Sequence, residues 1–266
     1  MLKITHYNDA GFFSGCSVKL YNILKYFSNN KSLPGSLDTS DLFYLYKSNK
    51  SSDITFDFVE HYDAVHEEII YEKMPSIDIK KLESTSYLQF ANYKDINYNS
   101  IIPFVKKYCS PSTRVLSIKG ELITKYNINP SNCIGLYYRG TDKYTETPLD
   151  TFDSYYGKLT GIIAANKDIQ ILVQTDSAPF IEYIQSKSIP NVIIIEENST
   201  SHSKQGIHKE KTAEDNHRDL YYLFATFLII ADCKHVICSS GNCSIWMMYY
   251  RGGAHNVHQN LNKSWL

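Results

Sequence analysis

The sequence predicts an α/β fold of two Rossmann-like half-domains facing a cleft. Three observations point to it. Short apolar runs alternate with stretches of helical periodicity, as a parallel sheet covered by helices requires. The chain opens on an apolar run, a glycine-containing turn and an apolar-faced helix, the way a nucleotide-binding half often starts. A second such unit begins at Ile134, where an apolar run breaks into a loop carrying Arg139, Asp142, Lys143 and Glu146. At 266 residues the chain can bury two cores, and the boundary is placed near residue 128, giving lobes 1–128 and 129–266.

In the first lobe, residues 2–7 read as a strand and 16–27 as a helix with Val18, Leu20, Ile23, Leu24 and Phe27 inward. Asp9 and Ser14 are its candidate caps. Gly11 and Gly15 do not satisfy GxGxxG, so Gly11 and Phe12 are candidate donor contacts by position only. Residues 29–40, with Pro34 and Gly35, form a polar connection, and 42–46 and 54–58 read as short strands. Residues 62–76 show no clear period. Residues 99–109 read as a helix with Pro103 in its first turn, followed by a second helix over 115–126.

In the second lobe, 134–138 is a strand, 152–165 a helix, and 169–173 a strand ending in Gln174-Thr175-Asp176. A helix over 179–187 and a strand over 192–195 follow, then a polar loop, 196–215, longer than the usual connection. The helix 212–231 turns Leu220, Leu223, Phe224, Phe227, Leu228 and Ile230 inward. A last strand, 236–238, opens into Ser239-Ser240-Gly241-Asn242, and the helix 243–250 packs Trp246 on the sheet.

Net charge is −1 and the pI is near 6.7, which argues against a nucleic-acid or anionic-membrane partner. The 22 tyrosines suit sugar-stacking surfaces, although the joint abundance of Tyr, Asn, Lys and Ile is also what an AT-rich genome produces. The six cysteines form no CxxC pair and read as reduced, buried small hydrophobes. Cys233, Cys238 and Cys243 fall on a helix end, a strand and a loop, a poor zinc set. His61 and His66, near Glu67 and Glu68, do not make His-Glu-x-x-His. Without an apolar leader or a membrane-length run, the expectation is a soluble cytoplasmic protein with no membrane span.

Ligands of open α/β sheets bind beyond the carboxyl ends of the strands, where the loop 139–146 would sit. Arg139 offers a planar fork to phosphate and Lys143 a point charge. Glu146 can take a proton from an incoming hydroxyl. A solvated, charged turn explains the same spacing. Ser239, Ser240, Gly241 and Asn242 precede a helix N-terminus, whose amides and dipole suit a phosphate; a plain helix cap explains them too.

Tyr138-Arg139-Gly140-Thr141-Asp142-Lys143, followed by Thr145-Glu146 and Phe152-Asp153-Ser154-Tyr155-Tyr156, resembles the His-x-Arg-Arg-Thr-Asp-Lys motif of α1,6-fucosyltransferases. That motif is shared with nodulation fucosyltransferases and, more loosely, with protein O-fucosyltransferases. Downstream, Thr175-Asp176, the stretch from Ser203 to His208, Ala231-Asp232 and Ser239-Ser240 resemble further family features in the same order. The resemblance implies a GT-B fold with the acceptor side on lobe 1–128 and the sugar-nucleotide side on lobe 129–266. It implies that Arg139 holds the β-phosphate of the donor, that Ser240 contacts the pyrophosphate, and that Glu146 is the base.

The chain departs from the family at two positions that read guanine, here Tyr137 and Ala225. Loss of both would blur base choice. Some glycosyltransferases of large DNA viruses share Tyr-Arg-Gly-Thr-Asp-Lys and an ending similar to Gly241-Asn242 with Trp246, and that likeness implies a UDP-xylose-type donor and, for a viral protein, the host cytoplasm. No Asp-x-Asp occurs, so no metal or other cofactor is expected.

The expected function is inverting transfer of fucose from GDP-fucose, or xylose from UDP-xylose, to a hydroxyl of an oligosaccharide or glycoprotein acceptor. Glu146 would be the base, Arg139 and Lys143 would stabilise the diphosphate, and Asp142 would orient them or itself be the base. A non-catalytic sugar- or nucleotide-binding module of a glycan assembly complex is the alternative. A Rossmann dehydrogenase is disfavoured by the lack of GxGxxG with an acidic ribose reader.

Overall fold

The computed structural model describes residues 1–60 and 69–261; His61, His66, Glu67 and Glu68 lie outside the described residues. The chain is α/β with parallel sheets, and its two halves are unequal. In the first half, β1 (Leu2–Lys3) pairs in parallel with β2 (Leu37–Asp38) across the long helix α1 (Phe12–Asn30). The first strand is shorter than the expected 2–7 because, among the described residues, its one partner is the two-residue β2. The helix begins at Phe12, ahead of the expected residue 16, because Phe12 and Phe13 are both buried. Neither expected cap is used. Gly11 is the N-cap without a side-chain bond, Asp9 pairs with Lys209, and the Ser14 hydroxyl meets His6 Nε2 at 2.9 Å.

The expected strands 42–46 and 54–58 are instead a 3-10 turn, Tyr44–Tyr46, and a short helix, α2 (Thr55–Phe58). With no third strand among the described residues to extend the ladder, their aromatic side chains plug the start of α1: Phe43 stacks on Phe12 at 4.5 Å and Phe58 meets it edge-on at 5.2 Å. Asp53 holds the second bend by accepting from the Thr55 amide at 2.9 Å and the Thr39 hydroxyl at 2.6 Å. The helices α3 (Ile79–Ser84), α4 (Ile102–Tyr108) and α5 (Thr113–Lys125) follow. Pro103 sits in the first turn of α4, where its missing amide costs nothing, and Ser112 caps α5.

The second half holds a five-stranded parallel sheet, β3 (Cys133–Tyr138), β4 (Gln170–Thr175), β5 (Val192–Ile194), β6 (His235–Ser239) and β7 (Val257–Asn260), in the order β5-β4-β3-β6-β7. The helices α6 (Phe152–Ala165), α7 (Ala178–Ser186), α8 (Ile207–Glu210), α9 (Ala213–Asp232) and α10 (Asn242–Arg251) complete it. Winding runs from β3 outward to β5 and then returns to β6 on the other side of β3, so a topological switch point lies between β3 and β6. The strand β7 escapes sequence reading because Val257-His258-Gln259-Asn260 is short and mostly polar, as an edge strand is.

Alternation along β3 divides the core. Ile134, Leu136 and Tyr138 point to the face packed by α6 and α7, with Tyr155, Leu159 and Phe180. Cys133 and Tyr137 point to the other face, where one continuous apolar cluster joins α1, α4, α5, α9 and α10 across both halves. Gly135 lets α9 lie close on that face: a Cβ there would meet Ile230 Cγ2 at 2.6 Å. Trp246, wholly buried, sits at the junction with Phe13 and Tyr249. All cysteines among the described residues are free thiols, and no helix among them is long and apolar enough to cross a membrane.

Candidate active site

A cleft of about 530 Å³ opens over the switch point, walled by both halves. Arg139, Asp142, Lys143 and Glu146, on the loop after β3, line it together with Asp176 after β4. Ser239, Ser240, Gly241 and Asn242, after β6, form the adjoining wall, and Gly11 and Phe12 line the opposite one. Thr175 does not line the cleft: it is buried, and its hydroxyl accepts from the Ser177 amide at 3.0 Å.

The Arg139 guanidinium is held from two sides, with Nη2 at 2.6 Å from Asp142 Oδ1 and Nε at 3.3 Å from Asp176 Oδ2. Burial works against its charge, but the Asp176 and Asp142 carboxylates outweigh it and hold the group protonated well above its ordinary range. Asp142 is in turn held below the usual carboxylate range: burial would raise it, and Arg139 more than reverses that. Asp176 has a second task. It accepts from the Gly140 amide at 2.8 Å and the Thr141 hydroxyl at 2.6 Å, which ties the loop after β3 to the end of β4.

Lys143 is buried, with its ammonium 2.5 Å from Glu146 Oε2, 3.5 Å from Gln89 Oε1 and 4.9 Å from the centre of the Phe90 ring. A Cβ at Gly241 would lie 3.8 Å from the same ammonium, so Lys143 stands directly before the N-terminus of α10. That helix has no side-chain cap, and its first turn faces the cleft through Asn242 and Cys243. Gly241, with φ of 156°, takes a backbone that a side chain would strain. Glu146 is the most open of the group, its side chain 41% exposed.

Two predicted contacts are spent inside the fold. The Ser240 hydroxyl donates to the Asn260 carbonyl at 3.1 Å and accepts from Gln259 Nε2 at 2.9 Å. Asn242 Oδ1 accepts from the Ser17 hydroxyl at 2.8 Å, which itself accepts from Trp246 Nε1 at 2.9 Å. These side chains brace the turn, and the Ser240 amide is likewise bonded to the Asn260 carbonyl at 3.1 Å, which leaves the first-turn amides of α10 as the backbone donors at the cleft. Tyr93, from the first half, completes the brace: its hydroxyl accepts from the Gly241 amide at 3.1 Å, with the Gln89 and Gly241 carbonyls at 3.1 and 3.3 Å as its own acceptors.

Several cleft residues carry no signal in the sequence. Gln89 follows three consecutive left-handed residues, Ser86, Tyr87 and Leu88, with φ of 47°, 63° and 69°. Each such non-glycine residue costs about 1–2 kcal/mol, a cost that persists in folds chiefly where function or packing demands it. Asn198 lines the cleft, its Nδ2 donating to Gln174 Oε1 at 2.7 Å and Thr226 Oγ1 at 2.8 Å. Ala225, one of the two departures from the base-reading residues of the resembled family, is buried in α9 and does not line the cleft.

His208, on α8, lines the cleft beside Asp142. Gly206 makes that possible, since a Cβ there would meet Asp142 Oδ2 at 2.5 Å and His208 Cε1 at 2.8 Å. Burial first, and Arg139 second, lower the imidazole to about 4. On the rim, Lys211 bonds Ser199 and Asp219, and Lys209 reaches Asp9 at 3.1 Å. Among the described residues, no group of three or more His, Cys, Asp or Glu side chains is placed to hold a metal ion.

No family model matches the sequence, and no curated protein is similar to it in sequence. Solved structures do match in shape. NodZ α-1,6-fucosyltransferase soaked with GDP-fucose is 12% identical, with 94% of this chain and 90% of that one covered and a TM-score of 0.53. The same enzyme co-crystallised with GDP gives 12% identity, 94% and 89% coverage and a TM-score of 0.54. At that identity the likeness concerns architecture: this chain has a fucosyltransferase-like, GT-B-type α/β fold.

Proposed function

We propose that the chain is an inverting glycosyltransferase that moves a sugar from a nucleoside-diphosphate donor to a glycan hydroxyl. The observation that carries this reading is the convergence of Arg139, Lys143 and the open N-terminus of α10 at the switch point of the sheet. Two carboxylate contacts use only part of the five-donor fork of Arg139, and the remainder suits phosphate oxygens. Backbone amides at an uncapped helix start add fixed positive potential. Together these groups offset the charge of a departing diphosphate in place of a metal.

In the proposed step the acceptor oxygen bonds to the anomeric carbon as the carbon–oxygen bond to the diphosphate breaks. The hydroxyl proton passes to Glu146. Each carboxylate is paired with a cation, Glu146 with Lys143 at 2.5 Å and Asp142 with Arg139 at 2.6 Å, and the greater exposure of Glu146, 41% against 23%, suits it better to meet an incoming hydroxyl. Asp142 and Asp176 then serve as positioning groups for Arg139. The donor is GDP-fucose or UDP-xylose, and the acceptor an oligosaccharide or glycoprotein.

Incubation with each donor, followed by assay of free diphosphate and of labelled acceptor, tests the reading. We expect turnover that a chelator leaves unchanged. Glu146→Gln should reduce it by about 10²–10⁴-fold while nucleotide still raises the melting temperature. Binding without turnover in the wild type would make the protein a non-catalytic nucleotide-sugar module. Undiminished turnover in Glu146→Gln would move the base to Asp142.

A further inference from the structure

The first-half rim of the cleft holds two features that the donor reading leaves unused. Tyr7 is 81% exposed, the most exposed aromatic ring among the described residues, and it lines the cleft. Single exposed apolar residues are common on surfaces. Here the ring lies against His6 at 5.4 Å between centroids, and His6 is tied to Ser14 in the first turn of α1. The second feature is Gln89, 94% removed from solvent and still part of the cleft wall, delivered there by the left-handed run Ser86–Leu88. Both features line the same cleft, Tyr7 ahead of α1 and Gln89 just after the left-handed run. Gln89 in turn reaches Lys143, which contacts Glu146.

We propose that this rim is the acceptor subsite, with the Tyr7 ring stacking on a pyranose whose hydroxyls are bonded by the Gln89 carboxamide and presented to Glu146. The proposal rests on the transferase reading above. A pyranose has an apolar C–H face and a polar hydroxyl edge. An aromatic face matches the first, through its electron-rich surface and apolar area. A carboxamide, with one acceptor and two donors, matches the second, and a carboxylate beyond it takes the proton. The turn before Gln89 already places the residue on the cleft wall, and a group positioned ahead of binding preserves affinity.

The test uses the full chain and a panel of methyl glycosides of glucose, galactose, mannose, N-acetylglucosamine, fucose and xylose. Binding is read by saturation-transfer NMR in the presence of GDP or UDP. At least one glycoside should bind the wild type. Tyr7→Ala should weaken it by about fivefold or more, with nucleotide affinity and melting temperature unchanged. Tyr7→Phe should bind as the wild type does, because stacking uses the ring and not the hydroxyl. Gln89→Met, similar in size but without the amide, should also weaken the glycoside. If Tyr7→Ala binds glycoside as well as the wild type, or the nucleotide-bound wild type binds none of the panel, the subsite is refuted. A failure of GDP and UDP to bind overturns the donor reading instead, so the two failures are separable.

Discussion

The two walls of the cleft are built by different rules. The charged core of the second-half wall is local, with Arg139 to Glu146 after β3, Asp176 after β4, and Ser239 to Asn242 after β6, while His208 and Lys211 join it from the long connection after β5. The first-half wall is gathered from distant segments, with Tyr7 before α1, Ser14 within it, Tyr46 before α2 and Gln89 after α3 lining the cleft, and Ser17 and Tyr93 bracing Asn242 and Gly241 from behind. Parallel strands end side by side, so short turns after them are brought together by the sheet itself. The opposite wall has no such register, and its residues meet only because one apolar cluster joins the two halves. Charge chemistry is thus concentrated where the backbone is regular, and shape is supplied from where it is not.

The sharpest way to break this comparison is on the local wall. Arg139→Ala should lower kcat/KM by about 10²–10³-fold, as loss of a preorganised electrostatic donor does, and leave Asp142 and Asp176 facing each other without their cation. Near-normal turnover would reduce that wall to a structural turn. Behind the gathered wall, Tyr93→Phe removes a hydroxyl that props Gly241 from the other half. It should cost about 1–3 kcal/mol of stability, read as a lower melting temperature, and weaken nucleotide binding. If both stay put, the first half merely covers the site.

The smallest expected effect is a pH dependence where the walls meet. The His208 imidazole is lowered from 6.5 to about 4, by burial first and Arg139 second, with Asp142 working the other way. Between those values the unfolded chain binds a proton that the folded chain refuses. Stability is therefore full above about pH 6.5 and falls as the pH drops toward 4. Denaturant titrations at pH 7 and pH 5 should show this loss, and His208→Gln should reduce it. An unchanged pH dependence in that variant would assign the loss to the carboxylates.

Helices of the second half were readable because periodicity and caps agreed: the helix expected over 152–165 is α6, capped by Thr151, and α9 starts after its Thr212 cap. The expected strands 42–46 and 54–58 failed because a strand needs a neighbour, and apolar runs such as Leu42-Phe43 served to cover α1 instead. Among site residues, Arg139 and Lys143 stood out by type and spacing. Ser240 and Thr175 looked equally suited, yet their hydroxyls bond within the fold, to Asn260 and to the Ser177 amide. Gln89 and Tyr93 had no local mark, since each acts through a partner at least 54 positions away.

By itself, the sequence determined that strands would alternate with helices and that a cationic turn would follow a buried strand, because both depend on nearest neighbours along the chain. Only the tertiary structure decided which hydroxyls stay free, which carboxylates clamp Arg139, and which distant side chains close the cleft. Those outcomes depend on contacts between segments far apart in the chain, and packing settles them all at once.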